Sequence, residues 1–290
     1  MKAKLILFLK FLVLLIVYFV LFSLISATVL PRLKQSPADY EPFSALSGLF
    51  LMSVLNTAVL TYITIRSRWS GWRLIVTLAL VYFGVATLMP QIETAVFVRT
   101  LPPGFLPRLF LAGFLFSFLY APLLVLLTGK KKQSEIAGTR TKLTSSEWVI
   151  KLIIAAVIYV VLYFTFGYFI AWQSPALRAY YGGGNSNGFL TQLHETWQAT
   201  PWLFPFQFLR GLLWTLLALP IIRMLRGQSL EKAVVVGLLL SVVISQLLLP
   251  NPLMPYEVRM RHLVETASSN FLFGCIVVWL LNKKHAETNT

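Results

Sequence analysis

The chain has 290 residues, 57% of them hydrophobic and only 12% charged, with a mean hydropathy of +0.75. That composition excludes an ordinary soluble domain and specifies an all-α, polytopic transmembrane helix bundle. The formal net charge of +15 comes from lysines and arginines scattered over short loops, which speaks for topology and contact with a lipid bilayer and against a nucleic-acid partner.

A helix needs roughly 20 apolar residues to cross a ~30 Å hydrocarbon layer. Windows of that kind fall near 5–29, 43–65, 73–92, 108–128, 148–171, 203–224, 233–250 and 263–281, which predicts about eight spans. The first begins with Lys2, Lys4 and Lys10 like a signal peptide. Its apolar run is far longer than the ~7–15 residues of a signal core, so it reads as a retained helix. The third window runs into Pro90 and Glu93, where a break is expected, and the sixth carries Arg210 and Pro220. Losing either would leave seven spans and put the termini on opposite sides.

With eight spans, 17 of the 25 lysines and arginines collect on one side. Cytoplasmic loops are enriched in these residues, so a bacterial-type inner membrane with both termini cytoplasmic is expected. The other eight, Arg32, Lys34, Arg99, Arg108, Arg178, Arg210, Arg259 and Arg261, then lie on or near the outer side. Cys275, the single cysteine, sits inside the last span and excludes an intrachain disulfide or a multi-cysteine metal cage.

Internal repetition is suggested by landmarks that recur in order. Aligning Lys10 with Lys151 lays KFLVLLIVYFVLF on KLIIAAVIYVVLY, with Tyr18 over Tyr159. Arg66 and Arg223 each end a second helix, and Leu88-Met89-Pro90 and Leu253-Met254-Pro255 each follow a third. This predicts a parallel duplication of a four-helix unit, as transporter folds often use. The halves would be 1–130 and 148–290, joined by a polar cytoplasmic linker at 131–147.

The one long connection, 172–202, holds a Tyr-Tyr-Gly-Gly-Gly core expected to be mobile unless packed. Behind it, Phe189, Leu190, Leu193 and Trp197 recur at helical spacing with His194 and Glu195 opposite. The pattern fits a short helix on the membrane surface, as an interfacial anchor or as a lid.

The chemistry concentrates in MPYEVRMRHLVETASSN, residues 254–270, because ionisable groups at membrane depth are costly and tend to be functional. On one helix Glu257, Arg261, Glu265 and Ser268 share a stripe flanked by His262 and Ser269, while Arg259 points away. A Glu257–Arg261–Glu265 ion-pair ladder would make this purely structural. His262 and Glu265, at i and i+3, also resemble a metal-ligand pair. A third ligand would have to come from Glu93, Glu257 or His194, so no metal is assigned. Ser268 or Ser269 activated by His262 would make an intramembrane hydrolase, though neither serine is flanked by nucleophile-elbow glycines.

The leading expectation is a transporter-like or lipid-handling protein with a polar site near its outer face. Guanidinium groups at Arg99, Arg108, Arg210 and Arg261 suit an anionic solute or lipid headgroup, with Glu93, Glu257, His262, Glu265, Ser268 and Ser269 completing the candidate set. A non-catalytic subunit of a membrane complex is the remaining alternative. Phosphate-loop, dinucleotide and thiol-redox signatures are absent, so no cofactor is expected.

Overall fold

The computed structural model describes residues 2–31, 33, 44–98, 101–131, 144–184 and 187–282. Arg99 and most of the 131–147 linker lie outside the described residues. Ten helices make up the described chain: α1 (Lys2–Val29), α2 (Ala45–Arg66), α3 (Gly71–Phe97), α4 (Phe105–Leu127), α5 (Ser145–Ala171), α6 (Pro175–Tyr180), α7 (Phe189–Ala199), α8 (Leu203–Met224), α9 (Ser229–Leu248) and α10 (Tyr256–Asn282). Eight of them, all but α6 and α7, are long and apolar enough to cross a membrane. The protein is an all-α, multi-pass membrane protein, and the described residues include no strand.

Two boundaries differ from the sequence reading, and both matter for the site. α3 does not break at Pro90. One wider π turn, Gly84–Leu88, closed by Met89 N–H to the Gly84 carbonyl, absorbs the proline so that the helix continues to Phe97. Glu93 is thereby held on a helix instead of a loop. α10 begins at Tyr256, so the whole polar stretch is helical and stacked directly on the last span.

Packing follows the same scheme in α1–α4 and in α5, α8, α9 and α10. α1 packs on α2 and α4 as α5 packs on α8 and α10, and α3 lies on α4 as α9 lies on α10. Between the two sets, α2 crosses α9 and α8 crosses α3. Small residues allow the closest approaches, as expected where the hydrophobic effect cannot drive helices together in lipid. A Cβ on Gly274 would come within 2.7 Å of the Gly237 Cα, and one on Gly211 within 2.7 Å of the Tyr159 Cβ. α1 and α5 lie at the periphery and keep apolar faces outward, including Phe8, Ile16, Leu24, Val149, Val157 and Val161.

One end of the bundle carries the basic loops and is tied shut between the two sets. Arg68 N–H donates to the Met224 carbonyl at 2.7 Å and Arg226 N–H to the Arg66 carbonyl at 3.0 Å, an antiparallel bridge centred on Ser67 and Leu225. Glu231 accepts from Arg66 at 2.6 and 2.8 Å and from Tyr62 at 2.8 Å. Lys130 donates to the Ser67 carbonyl at 2.8 Å, and burial followed by the nearby Arg226 charge lowers its ammonium pKa.

Candidate functional site

The opposite end is hollow. A cavity of about 820 Å³ is bounded by the ends of α3, α5, α8, α9 and α10 and roofed by α6 and α7. Its wall is aromatic, with Phe97, Phe164, Tyr168, Trp172, Phe189 and Trp214 among the lining residues. Its floor is polar. A small void of about 10 Å³ beneath is lined by Glu93, Tyr159, Tyr163, Arg210, Glu265 and Asn270, so two carboxylates and one guanidinium share that floor.

The Arg210–Glu93 pair joins the two helix sets. Arg210, 4% exposed at its side chain, donates from Nη1 and Nη2 to Glu93 at 3.1 and 2.8 Å, and from Nη1 to Gln207 at 2.8 Å. Glu93, one-third exposed at 34%, is reached only because α3 carries on past Pro90. Two-pronged pairing of this kind offsets much of the cost of burying the guanidinium. Its Nε and the Gln207 amide nitrogen have no partner among the described residues.

Across the floor stands a second polar chain. Tyr181 Oη lies 3.0 Å from His262 Nε2, and His262 Nδ1 lies 3.4 Å from Glu265 Oε2, which also accepts from Thr266 at 2.9 Å. Burial, and then the nearby Glu93, Tyr180 and Glu265, push the Tyr181 hydroxyl above its ordinary range, so it remains a proton donor. A carboxylate oxygen accepts, so the contact with Glu265 places a proton on His262 Nδ1, and in the neutral imidazole Nε2 is then the acceptor for the Tyr181 hydroxyl. The geometry suits a hydrogen-bonded relay with its carboxylate at the cavity floor.

The roof is held by side chains. Arg178 donates to the Trp172 carbonyl at 2.7 Å and to the Gly184 carbonyl at 3.1 Å, which pins the described part of the glycine-rich loop. Tyr180 donates to the Leu253 carbonyl at 2.8 Å and fastens α6 to the α9–α10 connection. α7 turns Phe189, Gln192, Leu193 and Thr196 into the cavity and leaves Leu190 and Trp197 exposed. His194 and Glu195 face away, bonded to Gln198 at 3.2 Å and Asn187 at 2.8 Å.

Of the candidate residues read from sequence, Glu93, Arg210, His262 and Glu265 meet in the cavity, and Ser269 borders the small void. Glu257, Arg261 and Arg108 are exposed and line neither space. The ion-pair ladder does not form: among the described residues Arg261 pairs with neither Glu257 nor Glu265. Ser268 and Ser269 donate to the carbonyls of Val264 and Thr266 on their own helix, so neither is poised by His262. Arg259, placed by periodicity away from the polar stripe, is fully buried and donates to the carbonyls of Leu247 and Leu249 at the end of α9. It caps a helix terminus where cations are favoured.

Sequence reasoning passed over Tyr163 and Tyr181. Tyr163, one turn beyond Tyr159 in an otherwise apolar helix, carries a periodic signal. Tyr181 meets His262 across 81 residues of chain and has no local one. Among the described residues, no group of three His, Cys, Asp or Glu side chains is arranged to hold a metal. Compared with protein families, curated proteins and solved structures, the chain matches none.

Proposed function

We propose that this is a lipid-handling membrane protein whose cavity takes one amphipathic molecule, its head on the polar floor and its apolar part along the aromatic wall. The observation that carries this reading is the division of a single cavity of about 820 Å³ into an aromatic wall and a floor bearing Glu93, Arg210, His262 and Glu265. That volume lies in the range of roughly 300–1,000 Å³ typical of small-molecule sites. The amphipathic roof helix α7, with Leu190 and Trp197 turned outward, suits a membrane-surface entrance.

Trp172, Trp202 and Trp214 line the cavity and act as built-in reporters. A phospholipid with brominated chains is expected to quench them saturably in the detergent-solubilised protein, and Thr94→Trp, which fills the cavity, is expected to abolish the saturable part. Equal quenching in the filled variant would overturn the reading.

In this proposal the basic end faces the cytoplasm, together with both termini, and the cavity opens to the outer side. In a Cys275→Ala background, Gly184→Cys should react with an impermeant thiol reagent from outside and Lys131→Cys should not. The reverse pattern would invert the orientation. The recurring helix pairings support two fused four-helix halves of common origin.

One observation favours a second reading. The Tyr181–His262–Glu265 chain has the makings of a general base, which supports an intramembrane hydrolase acting through a water molecule, since Ser268 and Ser269 are occupied with their own backbone. Hydrolysis of a lipid ester by wild type and not by His262→Gln would select it.

A further inference from the structure

The charges of the cavity do not match one another in number. Arg210 is held by both oxygens of Glu93 and by Gln207, so its charge is compensated within the protein. Arg108 and Arg261 are exposed elsewhere, and Arg259 is spent on the carbonyls behind α9. An anion entering the cavity would meet a neutral Arg210–Glu93 pair and the Glu265 carboxylate.

Glu265 is the carboxylate left with no lysine or arginine beside it, and His262 is its ionisable partner among the described residues. Its side chain is 8% exposed and lines both the cavity and the void beneath it. Oε2 takes the hydrogen bonds from His262 and Thr266, whereas Oε1 has none among the described residues and retains accessible surface. No lysine or arginine is paired with this carboxylate among the described residues. Such a group, withdrawn from water, gains most from a cation brought in by a ligand.

The surroundings suit that cation. Tyr163 lines both the cavity and the void beneath it together with Glu93, Arg210 and Glu265, and its hydroxyl takes no hydrogen bond among the described residues. It can accept from an ammonium N–H. Tyr181 and Trp214 are among the lining residues, and aromatic rings attract ammonium groups, the more so where water is excluded.

We propose that the head of the bound amphiphile carries a protonated amine, docked between the Glu265 carboxylate and the hydroxyl of Tyr163, so that the cavity selects an amine-bearing phospholipid over an anionic one. This rests on the amphiphile reading given above. It also assigns His262 a positioning role: by donating to Oε2 it turns the other carboxylate oxygen toward the ligand.

The test compares lysophosphatidylethanolamine with lysophosphatidylglycerol of the same chain length, each titrated against the full-length protein in a neutral detergent, with free ethanolamine as a third ligand. Both lipids carry a phosphate, so their difference reports the amine. Wild type is expected to bind the ethanolamine lipid at least tenfold more tightly, and Glu265→Gln to reduce that ratio to near one while still binding both. Equal or tighter binding of the glycerol lipid by wild type overturns the proposal, as does a ratio that survives in Glu265→Gln. If that variant fails to fold, the wild-type ratio alone decides. Binding of both lipids without preference defeats the amine assignment and leaves the amphiphile reading standing. Glu265-dependent binding of free ethanolamine with no binding of either lipid does the opposite. No binding of any of the three defeats both.

Discussion

Tyr18 on α1 and Tyr159 on α5 are both buried, yet the protein is sealed around the first and hollow beside the second. Tyr18 donates to Tyr82 at 2.7 Å, Tyr82 to Asn56 at 3.0 Å, Asn56 to Ser245 at 3.0 Å, and Ser245 to the Val242 carbonyl. The rings of Tyr18, Phe116 and Tyr120 pack edge-on and stacked around this chain, with centroids 4.7 to 5.5 Å apart. Each proton in it has an acceptor in the protein. Tyr159 accepts from Trp214 at 3.1 Å, but one turn further Tyr163 and the neighbouring Glu265 keep polar atoms that no described side chain satisfies. Similar helix packing thus yields a lock where the polar chain closes on itself, and a site where it stays open.

The contrast breaks most sharply at Glu93. Glu93→Gln leaves Arg210 buried without a counter-charge and should cost about 3 kcal/mol, near the low end for a broken buried pair because Glu93 itself is one-third exposed. Adding Arg210→Met should restore most of the lost thermal stability. A single variant as stable as wild type would show that the pair does not hold the two helix sets together.

In the sealed region, Asn56→Ala removes the acceptor of Tyr82 and the donor to Ser245, and should cost about 1–2 kcal/mol, the usual penalty for stranded buried groups. Amphiphile binding at the other end should be unchanged. A loss of binding with this variant would mean that the two regions are coupled and the comparison fails.

A matched pair of hydroxyl deletions gives the smallest and finest test. Tyr82→Phe ends a closed chain and should lower stability by about 1 kcal/mol. Tyr163→Phe removes a hydroxyl without a hydrogen-bond partner among the described residues and should stay within about 0.5 kcal/mol of wild type, yet weaken binding of an amine-bearing amphiphile several-fold. Calorimetric unfolding and the lipid titration read the two effects separately. Equal destabilisation by both would place Tyr163 in a closed network as well.

The eight spans were legible because the transfer of a helix into hydrocarbon is a sum over its own residues, so the sequence alone carries the signal. The segment at 254–270 was legible as a place for chemistry for the same reason: charge at membrane depth stands out locally. The helical spacing of Phe189, Leu190, Leu193 and Trp197 announced α7 as an anchor or a lid, but not that Phe189 and Leu193 would turn into a cavity beside Gln192 and Thr196.

Which side chains share that cavity was decided by tertiary structure. Arg210 and Glu93 are 117 residues apart and Tyr181 and His262 are 81 apart, and no local pattern specifies such encounters. Helical periodicity put Arg261 and Glu265 on one stripe and Arg259 off it, yet the packing of α10 against α9 buried Arg259 and left Arg261 exposed. A helix fixes only angles about its own axis, and it is the neighbour it leans on that chooses the buried face. A π turn of five residues at Gly84–Leu88 carried Glu93 into the site by keeping α3 helical through Pro90. The sequence by itself determined the spans and the stretches dense in charge, whose energies are local. The tertiary structure alone decided which charges are cancelled and which face the cavity, because that depends on partners brought together from distant parts of the chain.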